Sequence, residues 1–231
     1  MEPVVHLRGA VALLGRFPAL AGASLDIQRG EILLVRGRNG AGKTTLLRVL
    51  AGLVAVASGE AVVLGCDLRT HAREVRSKVG VLGHGNGLYE DLTVAENVRF
   101  WGRTVGATDA EIATAMERLG VAGRLAGVPV HRLSAGQRRR TALAVVAARR
   151  PELWLLDEPH AGLDAVGRDL LDALLGEAVA AGATVVFASH DVDRAVPLAH
   201  RVVTMAGGLV EPVPTEPVPL PVSPLPASVP C

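Results

Sequence analysis

The segment Gly37-Arg38-Asn39-Gly40-Ala41-Gly42-Lys43-Thr44 constrains this chain more than any other stretch of it. It follows Glu31–Arg36 (EILLVR), an apolar run that reads as a strand. It opens Thr44–Leu53 (TTLLRVLAGL), whose apolar spacing is helical. A glycine loop between a strand and a helix is the setting in which G-x-x-x-x-G-K-[ST] wraps phosphate oxygens with backbone N–H groups. The helix N-terminus adds positive potential there. Lys43 has the reach for β- and γ-phosphates, and the Thr44 hydroxyl suits Mg2+. Of 24 Lys and Arg residues, only Lys43 and Lys78 are lysine. A compact ammonium kept in an arginine-rich chain, inside a glycine loop, fits phosphate as a point charge.

The surrounding pattern alternates strands and helices. Strands are predicted at Val4–Leu7, Ala23–Ile27, Ala61–Leu64, Val79–Leu82, Leu153–Leu156, Thr184–Ala188 and Val202–Met205. Helices are predicted at Val94–Val105, Asp109–Leu119, Ser134–Arg149, Gly167–Ala181 and Val192–Ala199, with a short piece near Arg124. The alternation predicts an α/β fold with a parallel sheet. Residues 93–133 interrupt it with a helical subdomain. Residues 211–231 hold eight of the 14 prolines and no basic residue, a composition for an extended, coreless tail. The domain therefore spans 1–210.

Composition narrows the function classes. Net charge is +1, so no bulk field draws the chain to nucleic acid or anionic lipid. Aromatics are only 3%, too few for a base-stacking platform. Cys66 and Cys231 form neither a disulfide framework nor a zinc spacing, which fits a reducing cytoplasm. The apolar stretch 9–15 is too brief for a signal peptide, lacks a clear cleavage site and runs into Arg16. No apolar run approaches the roughly 18 residues of a membrane span.

Two further segments carry chemistry. Leu153–Leu156 runs into Asp157-Glu158, a strand ending in two carboxylates. Asp157 suits a metal held through water, and Glu158 suits a general base for attacking water. Leu133-Ser134-Ala135-Gly136-Gln137 opens a helix with Ser134 as a natural N-cap, and free N–H groups there favour an anion. Alone, that segment is only a cap.

The glycine loop, then L-S-A-G-Q, then L-L-D-E-P, then Ala161-Gly162-Leu163-Asp164, then Ser189-His190-Asp191, in this order, resembles the nucleotide-binding subunit of an ATP-binding cassette transporter. The resemblance covers about residues 4–210. It implies a P-loop NTPase cassette with a parallel core sheet, an antiparallel N-terminal β-subdomain and a helical subdomain. It implies ATP and Mg2+ as ligands. Two cassettes then pair head to tail. Each ATP lies between one chain's Gly37–Thr45 and the other's Ser134, Gly136 and Gln137, with Thr44 and Asp157 at the metal. The resemblance makes Asp164 a dimer-crossing residue and His190 a γ-phosphate contact beside the catalytic Glu158. It also implies an integral membrane partner and a peripheral place on the cytoplasmic membrane face.

Two departures from the family's pattern are visible. Leu14 stands where an aromatic residue stacks on adenine; Phe17 is close by and can serve either as that platform or as core. His84 stands where the family carries a glutamine, and a histidine there can contact metal-bound water. Gly83-His84 in place of Pro-Gln, with L-S-A-G-Q and Glu96-Asn97-Val98-Arg99-Phe100, resembles the haem-exporter ATPases of cytochrome c maturation. The alternative is the motor of another exporter, for a drug or lipid. A soluble cassette ATPase acting on DNA or ribosomes fits less well, lacking heptads and a basic stripe. A P-loop small-molecule kinase leaves L-S-A-G-Q and Ser-His unexplained. His6, His71, His131, His160 and His200 are scattered and form no haem-attachment motif.

Overall fold

A computed structural model describes residues 3–211. The proline-rich segment lies outside the described residues, except that Glu211, assigned to it by composition, closes a strand.

Two sheets carry the fold. The first is four-stranded and antiparallel, in the order β2-β1-β4-β5, from β1 (Val5–Leu14), β2 (Phe17–Ile27), β4 (Ser58–Val63) and β5 (Cys66–Asp67). The second is six-stranded, in the order β10-β9-β3-β8-β7-β6, from β3 (Ile32–Arg36), β6 (Val79–Leu82), β7 (Leu153–Asp157), β8 (Thr184–Ala188), β9 (Arg201–Ala206) and β10 (Leu209–Glu211). Its pairs are parallel except for the terminal β9–β10 hairpin.

The helices are α1 (Lys43–Leu50), α2 (Ala72–Arg76), α3 (Val94–Arg103), α4 (Asp109–Arg118), α5 (Ala135–Arg149), α6 (Ala165–Ala180) and α7 (Val192–Leu198). Two 3-10 turns, Gly123–Leu125 and Val130–Arg132, precede α5. Thr93, Thr108 and Ser134 start α3, α4 and α5 with reciprocal capping boxes to Glu96, Glu111 and Gln137.

The parallel strands are buried on both faces, so they read as continuous apolar runs. On one face Leu33, Val35, Leu155 and Val186 pack with the antiparallel sheet and with Leu46 and Leu50 of α1. On the other, Leu34, Trp154, Leu156 and Phe187 pack under Val98, Leu143, Leu171 and Leu175 of the outer helices. Period-two alternation along each strand thus serves two cores from one sheet.

The differences from the predicted elements have local causes. β1 runs to Leu14 rather than stopping at Leu7, because a register shift between Leu7 and Ala10 lets the ladder to β2 continue. α1 ends three residues early, where the Leu53 and Val54 amides turn back to the Arg48 carbonyl. The short elements α2, β5 and β10 have too few residues to show a period.

Candidate functional site

Parallel pairing puts the carboxyl ends of β3, β8 and β7 along one edge, where ligands of open α/β sheets bind. The register is specific. Val35 pairs with Ala188, and Ala188 pairs with Asp157. Gly37 lies two residues past the first, His190 two past the second, and the third is itself the carboxylate. Leu82 pairs with Leu156, so His84, two residues past β6, leaves the sheet beside the same edge.

The glycine loop is shaped by its packing. Gly37, Gly40 and Gly42 have φ of 144°, 80° and 104°, which side-chain-bearing residues rarely adopt. A Cβ at Gly42 would stand 2.6 Å from the Ala19 carbonyl oxygen. The loop is therefore pressed against β2 and the β9–β10 hairpin. Arg38, Asn39 and Gly40 are exposed at its tip, and Ala41 and Thr45 are buried beneath it. Gly42 caps α1 without a side-chain acceptor, and the first turn holds no acidic residue. Its N–H groups therefore face the loop interior with no protein carboxylate competing for them. Lys43, only 9% exposed, folds back so that Nζ donates to the Gly37 carbonyl at 2.7 Å and the Arg38 carbonyl at 3.2 Å.

Thr44 donates its hydroxyl to Asp157 Oδ2 at 2.6 Å. Asp157 is 8% exposed at the end of β7. The next residue, Glu158, has φ 48°, a left-handed conformation costing a non-glycine residue about 1–3 kcal/mol. It is held there by its N–H, which donates to the Ala188 carbonyl at 2.9 Å. The turn directs the Glu158 carboxylate at His190, with Nδ1 2.9 Å from Oε2 and the His190 N–H donating to the same oxygen at 3.3 Å.

The donor set fits a hard cation. Thr44 and Asp157 present a hydroxyl and a carboxylate oxygen side by side. Among the described residues, no group of three or more His, Cys, Asp or Glu converges as a metal cage. Mg2+ commonly takes one or two protein ligands beside substrate phosphates, which this pair can supply.

Ser134, Gly136, Gln137 and Asp164 form a second patch. Among the described residues, no hydrogen bond joins them to the Gly37–Thr45 loop. The Ser134 Oγ accepts the Gln137 N–H at 3.2 Å, and Gln137 Oε1 accepts the Ser134 N–H at 2.9 Å. The Ser134 hydroxyl proton remains available to an anion. Asp164 Oδ1 accepts the Gly167 N–H at 2.8 Å and caps α6. A Cβ at Gly136 would stand 2.9 Å from the Gly162 carbonyl oxygen, so the two segments pack against each other.

The profile of the family described as ABC transporter matches residues 20–161. This chain belongs to that family. The match spans the glycine loop, Ser134–Gln137 and Asp157-Glu158; Asp164 and His190 lie beyond it. A cytochrome c biogenesis ATP-binding export protein (CcmA) of Bordetella bronchiseptica is 41% identical over 191 residues, covering 82% of this chain and 85% of that one. A cobalt import ATP-binding protein (CbiO) of Rhodobacter capsulatus is 40% identical over 222 residues, covering 91% and 78%. A dimeric ATP-binding cassette bound to ADP and phosphate superposes with a TM-score of 0.79 at 27% identity, covering 90% of this chain and 97% of that one. The chain is thus an ABC-type ATPase subunit with the cassette fold. No helix of the described residues is long and apolar enough to cross a membrane.

Two sequence readings gain definition within this ABC cassette. Leu14 and Phe17 face each other across the β1–β2 ladder, and Phe17 is 80% exposed, which removes its core alternative. His84 is exposed. Arg139 was not singled out by its type, standing inside an arginine triplet, yet it is 5% exposed. Helical spacing was the available signal: 139, 142, 143 and 146 share one face, and all four are buried. Desolvation pushes its guanidinium below the ordinary arginine value, opposed by the nearby Asp157 and Glu158 charges.

Proposed function

We propose that this chain is the ATP-hydrolysing motor of an ABC exporter of the cytochrome c maturation, haem-export type. The observation that carries the motor reading is the row of strand ends. It sets Lys43, Thr44, Asp157, Glu158 and His190 on one edge. Sequence similarity to the CcmA relative supports the type.

In this reading, the N–H groups of Gly37–Thr45 cradle the β- and γ-phosphates, and Lys43 exchanges its two carbonyl partners for phosphate oxygens. Thr44 and Asp157 hold Mg2+, which when bound offsets the negative charge of the phosphates. Glu158 takes the proton of an attacking water, and His190, 2.9 Å from its carboxylate, orients it and reaches the γ-phosphate. His84 approaches the same edge from β6. Ser134, Gly136, Gln137 and Asp164, separate from the loop in one chain, complete the site on a second copy. The dimeric state of the similar cassette supports that pairing.

The motor works peripherally at the cytoplasmic membrane face on an integral membrane partner. Tyr89, Phe100 and Trp101 support a docking face on α3 and the loop before it. Their rings lie within 5.2–5.9 Å of one another, with Tyr89 48% and Phe100 45% exposed. Half of the chain's aromatic residues thus gather in one exposed cluster, which marks an interaction site.

The test is covalently attached haem c in a strain lacking this gene, complemented with wild type or Glu158→Gln. Loss that only wild type restores supports the reading. Cytochromes that persist overturn the haem-export type. A second reading, the motor of a different transporter, is favoured by the cobalt import relative, whose similarity spans 91% of the chain.

A further inference from the structure

Arg139 is a buried cation without a carboxylate partner. Among the described residues, no ion pair includes it. Its donors go to oxygens of two segments instead, 157–159 and 83–86. Nη2 donates to the Asp157 carbonyl at 2.7 Å and the Glu158 carbonyl at 2.6 Å. Nε donates to the Pro159 carbonyl at 3.4 Å. Nη1 donates to the Gly83 carbonyl at 2.8 Å and to Asn86 Oδ1 at 3.4 Å. The guanidinium has five N–H bonds, and five oxygens meet it.

These partners lie on two segments, and Arg139 joins both to a third, α5. Asp157–Pro159 carry the carboxylates, and Gly83 and Asn86 flank His84. Arg139 itself sits on α5, five residues past Ser134, about 7.5 Å along the helix axis. The Glu158 backbone is strained at φ 48° and needs its surroundings to hold it. A planar fork can fix several carbonyl directions at once, whereas an ammonium has three rotatable donors at a single point.

We propose that Arg139 is a positioning residue that locks the Glu158 turn and the His84 loop to the N-terminal part of α5, so that the three shift as one unit. This rests on the ATPase reading above. It adds a coupling inside one chain between the carboxylates that face its own nucleotide and the Ser134 cap that faces its partner's.

The experiment compares Arg139→Lys and Arg139→Met with the wild-type full-length chain. ATP turnover, the Kd for a fluorescent ATP analogue, and amide hydrogen exchange over 83–87 are read together. Arg139→Lys keeps the charge and loses the fork; Arg139→Met keeps the stem and loses both. In both variants kcat falls by about a hundredfold, the scale of a misplaced catalytic group, while Kd holds within about threefold. Exchange over 83–87 speeds up in both. Wild-type turnover in Arg139→Lys, Kd weakening in step with kcat, or unchanged exchange overturns the proposal. If the variants do not fold, native-state exchange on the wild-type chain decides it. Loop 83–87 and the Glu158 amide then open together at low urea; independent opening overturns it. A wild-type chain without ATPase activity overturns the functional reading and this role together, whereas an active wild type with unaffected variants overturns the role alone.

Discussion

The hydroxyl of Thr44 donates to Asp157 Oδ2 at 2.6 Å, joining the first turn of α1 to the end of β7 across 113 positions of sequence. In the sheet, β8 lies between β3, which leads into α1, and β7. In the proposed reading the Thr44–Asp157 pair would hold the cation.

Thr44→Val and Asp157→Asn therefore weaken Mg2+-ATP binding by about tenfold or more, the factor carried by roughly 1.4 kcal/mol. Binding of ATP in excess EDTA changes far less, since the glycine loop and Lys43 are intact. Titration calorimetry with and without Mg2+ checks the difference; equal losses in both conditions refute the pairing.

Glu158→Gln removes the proton acceptor while preserving size and the His190 contact. Turnover falls by about 10²–10⁴-fold, the usual contribution of general base catalysis, with nucleotide affinity retained. Single-turnover hydrolysis measures it. Parental rates in the variant would falsify the assignment of Glu158 as base.

Gly42→Ala combines φ 104° with a Cβ 2.6 Å from the Ala19 carbonyl, whereas Gly40→Ala at φ 80° meets no atom within 4 Å. Backbone strain alone costs about 1–3 kcal/mol, and a chain of this size loses roughly 2–4 °C in Tm per kcal/mol. Gly42→Ala melts lower than Gly40→Ala. Calorimetric scans of the two variants side by side give the ordering.

The Asp26 carboxyl lies below its ordinary value, first because Arg8 Nη2 donates to it at 2.6 Å, and also because His6 bonds it; burial opposes both. A depressed folded-state value adds stability above the ordinary carboxylate range, and acid removes it as pH falls through the folded value. Arg8→Met moves Asp26 back toward its ordinary value and flattens that acid limb. Carboxyl titration by NMR, with urea melts between about pH 2 and pH 6, reads both effects; an unmoved Asp26 titration rules out Arg8 as the cause.

Much of the phosphate edge was legible because its residues are tied to short spacings. Gly37–Thr44 and Asp157-Glu158 sit where strands end, and strand ends are marked by a halt in apolar runs. The N-cap at Ser134 was legible for the same reason: it is a local contact over three residues. Arg139 was harder to see, because its partners lie 18–56 positions away and four of the five are backbone carbonyls, which no residue type announces. The N-terminal strands were read short, since Gly9 and Gly22 look like turns when the ladder that carries β1 past Gly9 and β2 past Gly22 is not yet in view.

Lys43 already bridges the Gly37 and Arg38 carbonyls, so its side chain is parked across the mouth of the loop rather than sampling solvent. In the proposed reading, an arriving phosphate meets a loop already shaped by its packing against β2 and the β9–β10 hairpin. Most of the ordering entropy is spent during folding, not at binding. On that reading the loop is ready-made, and the ligand has no need to build it.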